Sequence, residues 1–199
     1  MRSRSRSVLV ALMAIFALSA VTASAAMAES EFEFSNAGRL KRASNTTQVL
    51  NLGGGRVLEC STDSVNGVAQ LSAFHKLKLE FGYSGCRLKT KFMSLEFVFE
   101  ATVSNAQYLF NAAQFVNLEN TVTVSVPIAG CQITISPQSN LVPVAYENTP
   151  VHDLTFNMKM EKIKSAGNGG ECGTGESTAG TYAGKTVVEL EGGQIDWKK

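Results

Sequence analysis

Two histidines, His75 and His152, are the chain's whole supply of side chains that exchange a proton near neutral pH. A serine hydrolase needs such a base within hydrogen-bond reach of its nucleophile, held there by a carboxylate. His152 is followed directly by Asp153, but neighbours in an extended segment point to opposite faces. His75 only opens the alternating run His75–Tyr83, and no G-x-S-x-G turn is present. Both histidines therefore read as surface or turn residues. Carboxylates offer a second chemistry, because two of them across a sugar can hydrolyse its glycosidic bond. Glu80, Glu96, Glu100 and Glu161 fall in candidate strands on positions that face water by default. Spacing alone brings no two of them to one cleft, so the expectation is a chain with no catalytic residues.

The remaining motifs are structural. Gly170-Glu171-Cys172-Gly173-Thr174-Gly175-Glu176-Ser177 has a glutamate where a phosphate loop needs lysine, and no calcium-loop pattern occurs. The cysteines Cys60, Cys86, Cys131 and Cys172 lie far apart without a C-x-x-C knuckle or an adjacent histidine, which excludes a zinc site and indicates two disulfides. Loop-closure entropy is about 3.5 kcal/mol for Cys60–Cys86 and about 3.9 for Cys131–Cys172, with crossed pairings only a few tenths higher, so entropy does not choose between them. We expect Cys60–Cys86 and Cys131–Cys172, each joining segments near in sequence. Arg87, Lys89 and Lys91 alternate, so an extended chain aligns them on one face, with Lys76 and Lys78 just before. Such a ladder suits an anionic polymer; it equally suits a solvated sheet face or a guarded edge.

These residues must be positioned by strands. Leu77, Leu79, Phe81 and Tyr83 alternate with Lys76, Lys78 and Glu80, and the same period recurs in Thr121–Val126, Gln132–Ile135 and Leu154–Met160. Shorter candidates are 31–34, 47–52, 56–60, 65–73, 91–103, 107–110, 115–118, 142–146, 180–183, 185–190 and 194–197. Turns are expected at Gly53-Gly54-Gly55, Asn66-Gly67, Ser84-Gly85, Ala129-Gly130, Asn168-Gly169-Gly170 and Gly192-Gly193. The segment Gly167–Gly184, rich in Gly, Ser and Thr, reads as a long surface loop stapled by Cys172. Glu31-Phe32-Glu33-Phe34 could add a strand to a neighbour or pair within its own domain. Many short strands punctuated by Gly and Asn predict an all-β fold, an antiparallel two-sheet sandwich, with a β-barrel as the alternative.

The chain opens with Arg2, Arg4 and Arg6, an apolar run Val8–Leu18 and small residues to Ala28, the three parts of a secretory signal helix. Residues 1–28 are read as a signal peptide cleaved after Ala25 or Ala28, and 29–199 as a single extracellular domain, with no membrane attachment after cleavage. The formal charge of +1 falls to about −2 once the three arginines leave, which removes any general field for nucleic acid.

The surroundings of the cysteines, Val57-Leu58-Glu59-Cys60, Tyr83-Ser84-Gly85-Cys86 and Gly130-Cys131-Gln132-Ile133-Thr134-Ile135-Ser136-Pro137-Gln138, with the later Gly180-Thr181-Tyr182-Ala183-Gly184, resemble exported β-rich proteins of soil actinobacteria. The resemblance covers most of residues 29–199 and implies a bacterial secreted scaffold without an assigned activity. Some members carry a further cysteine pair that this chain lacks. The expected function is that of a secreted or cell-surface β-sandwich acting without catalysis, in binding or assembly. It would need no cofactor or metal, and its partner would be a cell-envelope polysaccharide or a second copy. The alternative is a secreted, glycosidase-like hydrolase with paired carboxylates.

Overall fold

Alternation in the sequence becomes alternation of burial. In β5 (Lys76–Phe92), Leu77, Leu79 and Phe81 are buried while Lys76 and Lys78 face water. The same rhythm runs through β7 (Ala106–Asn111), β9 (Val122–Val126) and β10 (Cys131–Ile135). The computed structural model describes residues 29–199 except Ser72, Met93, Gly170, Glu171 and Gly173; the expected signal peptide, 1–28, lies outside the described residues. Strands make up 74 % of the described residues, no helix occurs among them, and the fold is an all-β antiparallel sandwich.

Four strands of 14 to 17 residues run the length of the sandwich and change partners on the way: β4 (Arg56–Ala69), β5, β13 (Leu154–Asn168) and β14 (Thr174–Leu190). At one end they pair with β2 (Gly38–Asn45), β7 and β12 (Val144–Asn148), and β7 continues into β8 (Phe115–Leu118) and β11 (Gln138–Leu141). At the other end they pair with β3 (Thr47–Gly53), β6 (Leu95–Val103) and β10. The β9–β10 hairpin bridges the two faces there, through Thr102↔Ser125 and Val103↔Val124 on one side and Ile133↔Gly167 and Thr134↔Ala166 on the other. A separate ribbon joins β1 (Glu31–Phe34) to β15 (Ile195–Lys198), so Glu31–Phe34 pairs within its own domain.

The expected loop Gly167–Gly184 is corrected: β13 runs to Asn168, β14 begins at Thr174, and their ladder holds from Leu154↔Val188 to Asn168↔Thr174. Its small residues serve close packing rather than looseness. A Cβ on Gly180 would lie 2.6 Å from the Ile163 carbonyl oxygen, and one on Gly184 would overlap the Gln48 amide. The turns expected at Asn66-Gly67 and Ser84-Gly85 are also corrected, since both pairs lie inside long strands. A Cβ on Gly67 would strike Leu79. Gly85, at φ +57°, is the extra residue of a bulge where Glu59↔Arg87 is followed by Ser61↔Ser84.

The interior has two parts. Near the ribbon, Phe32, Phe110, Tyr146 and Phe156 pack edge to face, with ring centroids 4.7 Å apart for Phe110–Phe156 and 5.1 Å for Phe32–Tyr146. Burying each phenylalanine stabilises the fold by about 1.5–3 kcal/mol. Towards the β9–β10 bridge the core is instead built round three tyrosines.

Candidate functional site

The bulge at Gly85 decides which side chains of β5 meet solvent. Before it the odd-numbered residues point inward; after it the even-numbered ones do, as Cys86, Leu88 and Thr90 are buried. The extra residue reverses the parity, so Lys76 and Lys78 and also Arg87, Lys89 and Lys91 lie on the outer side of the same strand. The three later residues thus share a face, as their spacing requires. They are not alone on it. Pairing sets Glu59 of β4 and Glu100 of β6 on either side of Arg87, and Glu96 of β6 beside Lys91. Lys89 Nζ donates to Glu59 Oε1 at 2.7 Å. Three cations therefore face three carboxylates, and the field that a polyanion would feel is largely cancelled at short range. Thr47, Glu59, Ser61, Arg87 and Glu100 rim an open depression of about 450 Å³ beside the Cys60–Cys86 disulfide. Glu59 and Glu100 are the carboxylates that approach one cleft most closely in kind, but they stand one strand apart from each other with a guanidinium between them.

Inside, β3, β5, β7 and β14 bring Gln48, Tyr83, Tyr108 and Tyr182 together around a cavity of about 40 Å³, otherwise lined by aliphatic side chains such as Val103, Leu118 and Val124. Tyr182 donates to Gln48 Oε1 at 2.7 Å, and the Tyr83 and Tyr108 hydroxyls are hydrogen-bonded at 3.2 Å. The direction is fixed at the amide. An amide oxygen only accepts, so Tyr182 spends its single proton there, while either of Tyr83 and Tyr108 can donate to the other. Gln48 Nε2 closes the relay on the Thr46 carbonyl at 2.9 Å. Burial, with the neighbouring hydroxyls as the next cause, pushes all three tyrosines well above the usual phenol range. A cavity of this size admits a few water molecules at most and is far below the roughly 300 Å³ of a ligand pocket. The relay is a structural device whose hydroxyls bond one another or Gln48.

Both histidines secure the terminal ribbon. His75 meets Glu29 through Nε2 at 3.3 Å and the Ser30 carbonyl through Nδ1 at 3.0 Å, just ahead of β1. His152, at φ +61°, places Nδ1 3.2 Å from Asp196 Oδ2 in β15, and its carbonyl accepts from Ile195 N at 2.9 Å. His152 and Asp153 do not act together; the Asp153 carboxyl is pushed up by partial burial and by Glu189. Ribbon and body are also joined by Trp197 Nε1 donating to the Ala112 carbonyl at 2.9 Å, while Lys198 against Glu33 at 3.0 Å ties β15 to β1 within the ribbon.

The disulfides are Cys60–Cys86, tying β4 to β5, and Cys131–Cys172, tying the start of β10 to the β13–β14 turn. Arg56 Nη1 donates to the Cys172 carbonyl, which adds the β3–β4 turn to that junction. Glu80 accepts from Asn105 Nδ2 at 2.9 Å and Gln107 Nε2 at 3.3 Å, and Glu161 lies exposed near the β11 edge. Among the described residues no three of His, Cys, Asp and Glu gather closely enough to hold a metal ion. The relay was not foreseen, although Tyr182 between Gly180 and Gly184 carried a signal: two glycines on one face of a strand leave room for something bulky between. No family model matches the chain, and no similar protein was found among curated sequences or solved structures.

Proposed function

We propose that the protein is exported and works without catalysis, as a disulfide-stapled β-sandwich that binds or assembles outside the cell or at its surface. One observation carries this reading: the side chains fit for acid–base work hold the fold together. His75 and His152 clasp the ribbon, the relay tyrosines bond one another, and Glu59 is held by Lys89. A general base needs a free lone pair aimed at substrate, and these groups point at the protein itself. Pairing of all four cysteines supports an oxidising compartment. The basic face of β5 remains a contact surface for an anionic polysaccharide only as far as its carboxylates allow.

The competing hydrolase reading rests on Glu59 and Glu100 at the rim of the 450 Å³ depression. A panel of neutral and acidic oligosaccharides, incubated with oxidised residues 29–199, separates the two. We expect no products above the buffer rate. Turnover that disappears in Glu59→Gln and Glu100→Gln would establish the hydrolase instead. Expression of residues 1–199 in a secreting bacterial host should release a product beginning at Ala26 or Glu29; retention of the full chain in the cell would refute export.

A further inference from the structure

β6 has an edge that no strand takes up over most of its length among the described residues. Its residues 95–101 pair with β5 in unbroken register, from Phe92↔Leu95 to Cys86↔Ala101. Its other edge is taken by β9 only at Thr102 and Val103, and among the described residues no strand pairs with it from Leu95 to Ala101. Such an edge is a template for another strand, and proteins usually spoil it with a lysine, a proline or a bulge. Residues 95–101 contain none of these. The free edge of β11 does differ, since its register slips between Gln138 and Leu141.

The strand is also apolar where it is bare. Leu95 is 62 % exposed, Phe97 38 % and Val98 52 %. Leu95, Phe97 and Phe99 share the inner face with Leu88 and Thr90, and the Phe97 and Phe99 rings lie parallel, 6.3 Å apart. The sequence of this edge, Glu96-Phe97-Val98-Phe99-Glu100, reads the same in both directions about Val98. A two-fold axis through Val98 sets each residue opposite the one equally far on its other side, so the palindrome puts Phe against Phe and Glu against Glu.

We propose that β6 joins two copies of this chain into a symmetric dimer by antiparallel pairing of residues 95–101 about Val98. Phe97 then stands opposite Phe99 of the second copy and Leu95 opposite Ala101, an apolar ladder on the inner face. On the outer face Glu96 meets Glu100 of the second copy, which alone would repel. Each carboxylate is already beside a cation of its own sheet, Lys91 next to Glu96 and Arg87 next to Glu100. Across the junction the row runs Arg87, Glu100, Glu96, Lys91, two cations outside two anions, with no net charge. Those cations weaken the Glu96–Glu100 repulsion, and the second copy is selected by the inner face, where the palindrome matches exposed Phe97 with Phe99 on both sides of the axis. This names the partner within the assembly reading above and rests on it.

Sedimentation equilibrium of oxidised residues 29–199 tests it. A concentration-dependent dimer is expected, weakened at least tenfold by Val98→Lys, which sets two ammonium groups on the axis, with the monomer's thermal midpoint unchanged. A Val98→Cys variant should cross-link to itself on air oxidation, because residues opposite one another in an antiparallel pair lie about 4.5–5.5 Å apart at Cα. Glu96→Cys should not, since the axis separates its two copies by several residues. A wild-type monomer at every concentration, a dimer indifferent to Val98→Lys, or equal cross-linking by both cysteines would overturn the proposal. None of these depends on the oligosaccharide assay, so a failed dimer and a discovered hydrolase remain distinct results.

Discussion

The ribbon end and the bridge end of the sandwich solve the same problem in opposite ways. Near the ribbon, Phe32, Phe110, Phe156 and Tyr146 fill space by shape, and the only polar tip among them, the Tyr146 hydroxyl, leaves the cluster to donate to the Asn111 carbonyl at 2.7 Å. Near the bridge, Tyr83, Tyr108, Tyr182 and Gln48 turn their polar tips inward and bond one another, leaving about 40 Å³ unfilled. Shape packing tolerates rotation of a ring, whereas buried hydroxyls bonded to each other and to an amide do not. The bridge end therefore gains orientation at the expense of density. It is also where the faces are joined by only two register pairs on each side.

Alkali should load the bridge end more heavily, with three raised phenols against the single raised Tyr146 near the ribbon. Burial raises the relay phenols in the fold, while the unfolded value is about 10. Their contribution is complete below that value and is lost as the pH climbs from there towards the folded values, by up to about 1.4 kcal/mol per tyrosine per pH unit. Tyrosinate absorbance should thus stay flat past pH 10 in the native protein, then rise in one step together with loss of the far-ultraviolet strand signal. Independent titration of any one relay tyrosine before unfolding contradicts the relay.

Next in size, Phe156→Ala should cost about 3–5 kcal/mol in urea unfolding, since it empties the middle of the aromatic cluster. A loss below 1 kcal/mol would mean that the ribbon end is not packed by shape. Gln48→Leu should cost about 1–3 kcal/mol, because it strands the Tyr182 proton. A neutral result there would show that the hydroxyls rearrange freely. The smallest effect is a gain: Val124→Ile, which adds one methyl group towards the cavity, should stabilise by at most about 1 kcal/mol, as 24 cal/mol per Å³ of filled space allows. Destabilisation by this variant would imply that the space is held by ordered water.

Alternation made most strands legible, and the two nearest-in-sequence cysteine pairs matched the bonds formed. What escaped the sequence was length and continuity. Asn66-Gly67 and Ser84-Gly85 look like hairpin turns because the same residue types serve turns and bulges, and only a partner strand tells them apart. β2, Gly-Arg-Leu-Lys-Arg-Ala-Ser-Asn, lacks period two, and its strand character comes from lying between β4 and β14. On the outer face, the row Arg87, Lys89, Lys91 could be read directly. The opposing Glu59, Glu96 and Glu100 could not, because register between strands is a non-local property. The palindrome about Val98 was equally visible in the chain, but nothing local marks an edge as open.

The ribbon ties the third and fourth residues of the described chain to its second-last and third-last, by Glu31↔Lys198 and Phe32↔Trp197. The first described strand to leave the ribosome consequently has only the single bridge Phe32↔Phe74 until nearly all the polypeptide has emerged. Such closure discourages premature folding of the N-terminal part, as the export proposed above would require. It also leaves both ends side by side, so a short linker between them would make new termini possible elsewhere without disturbing either interior.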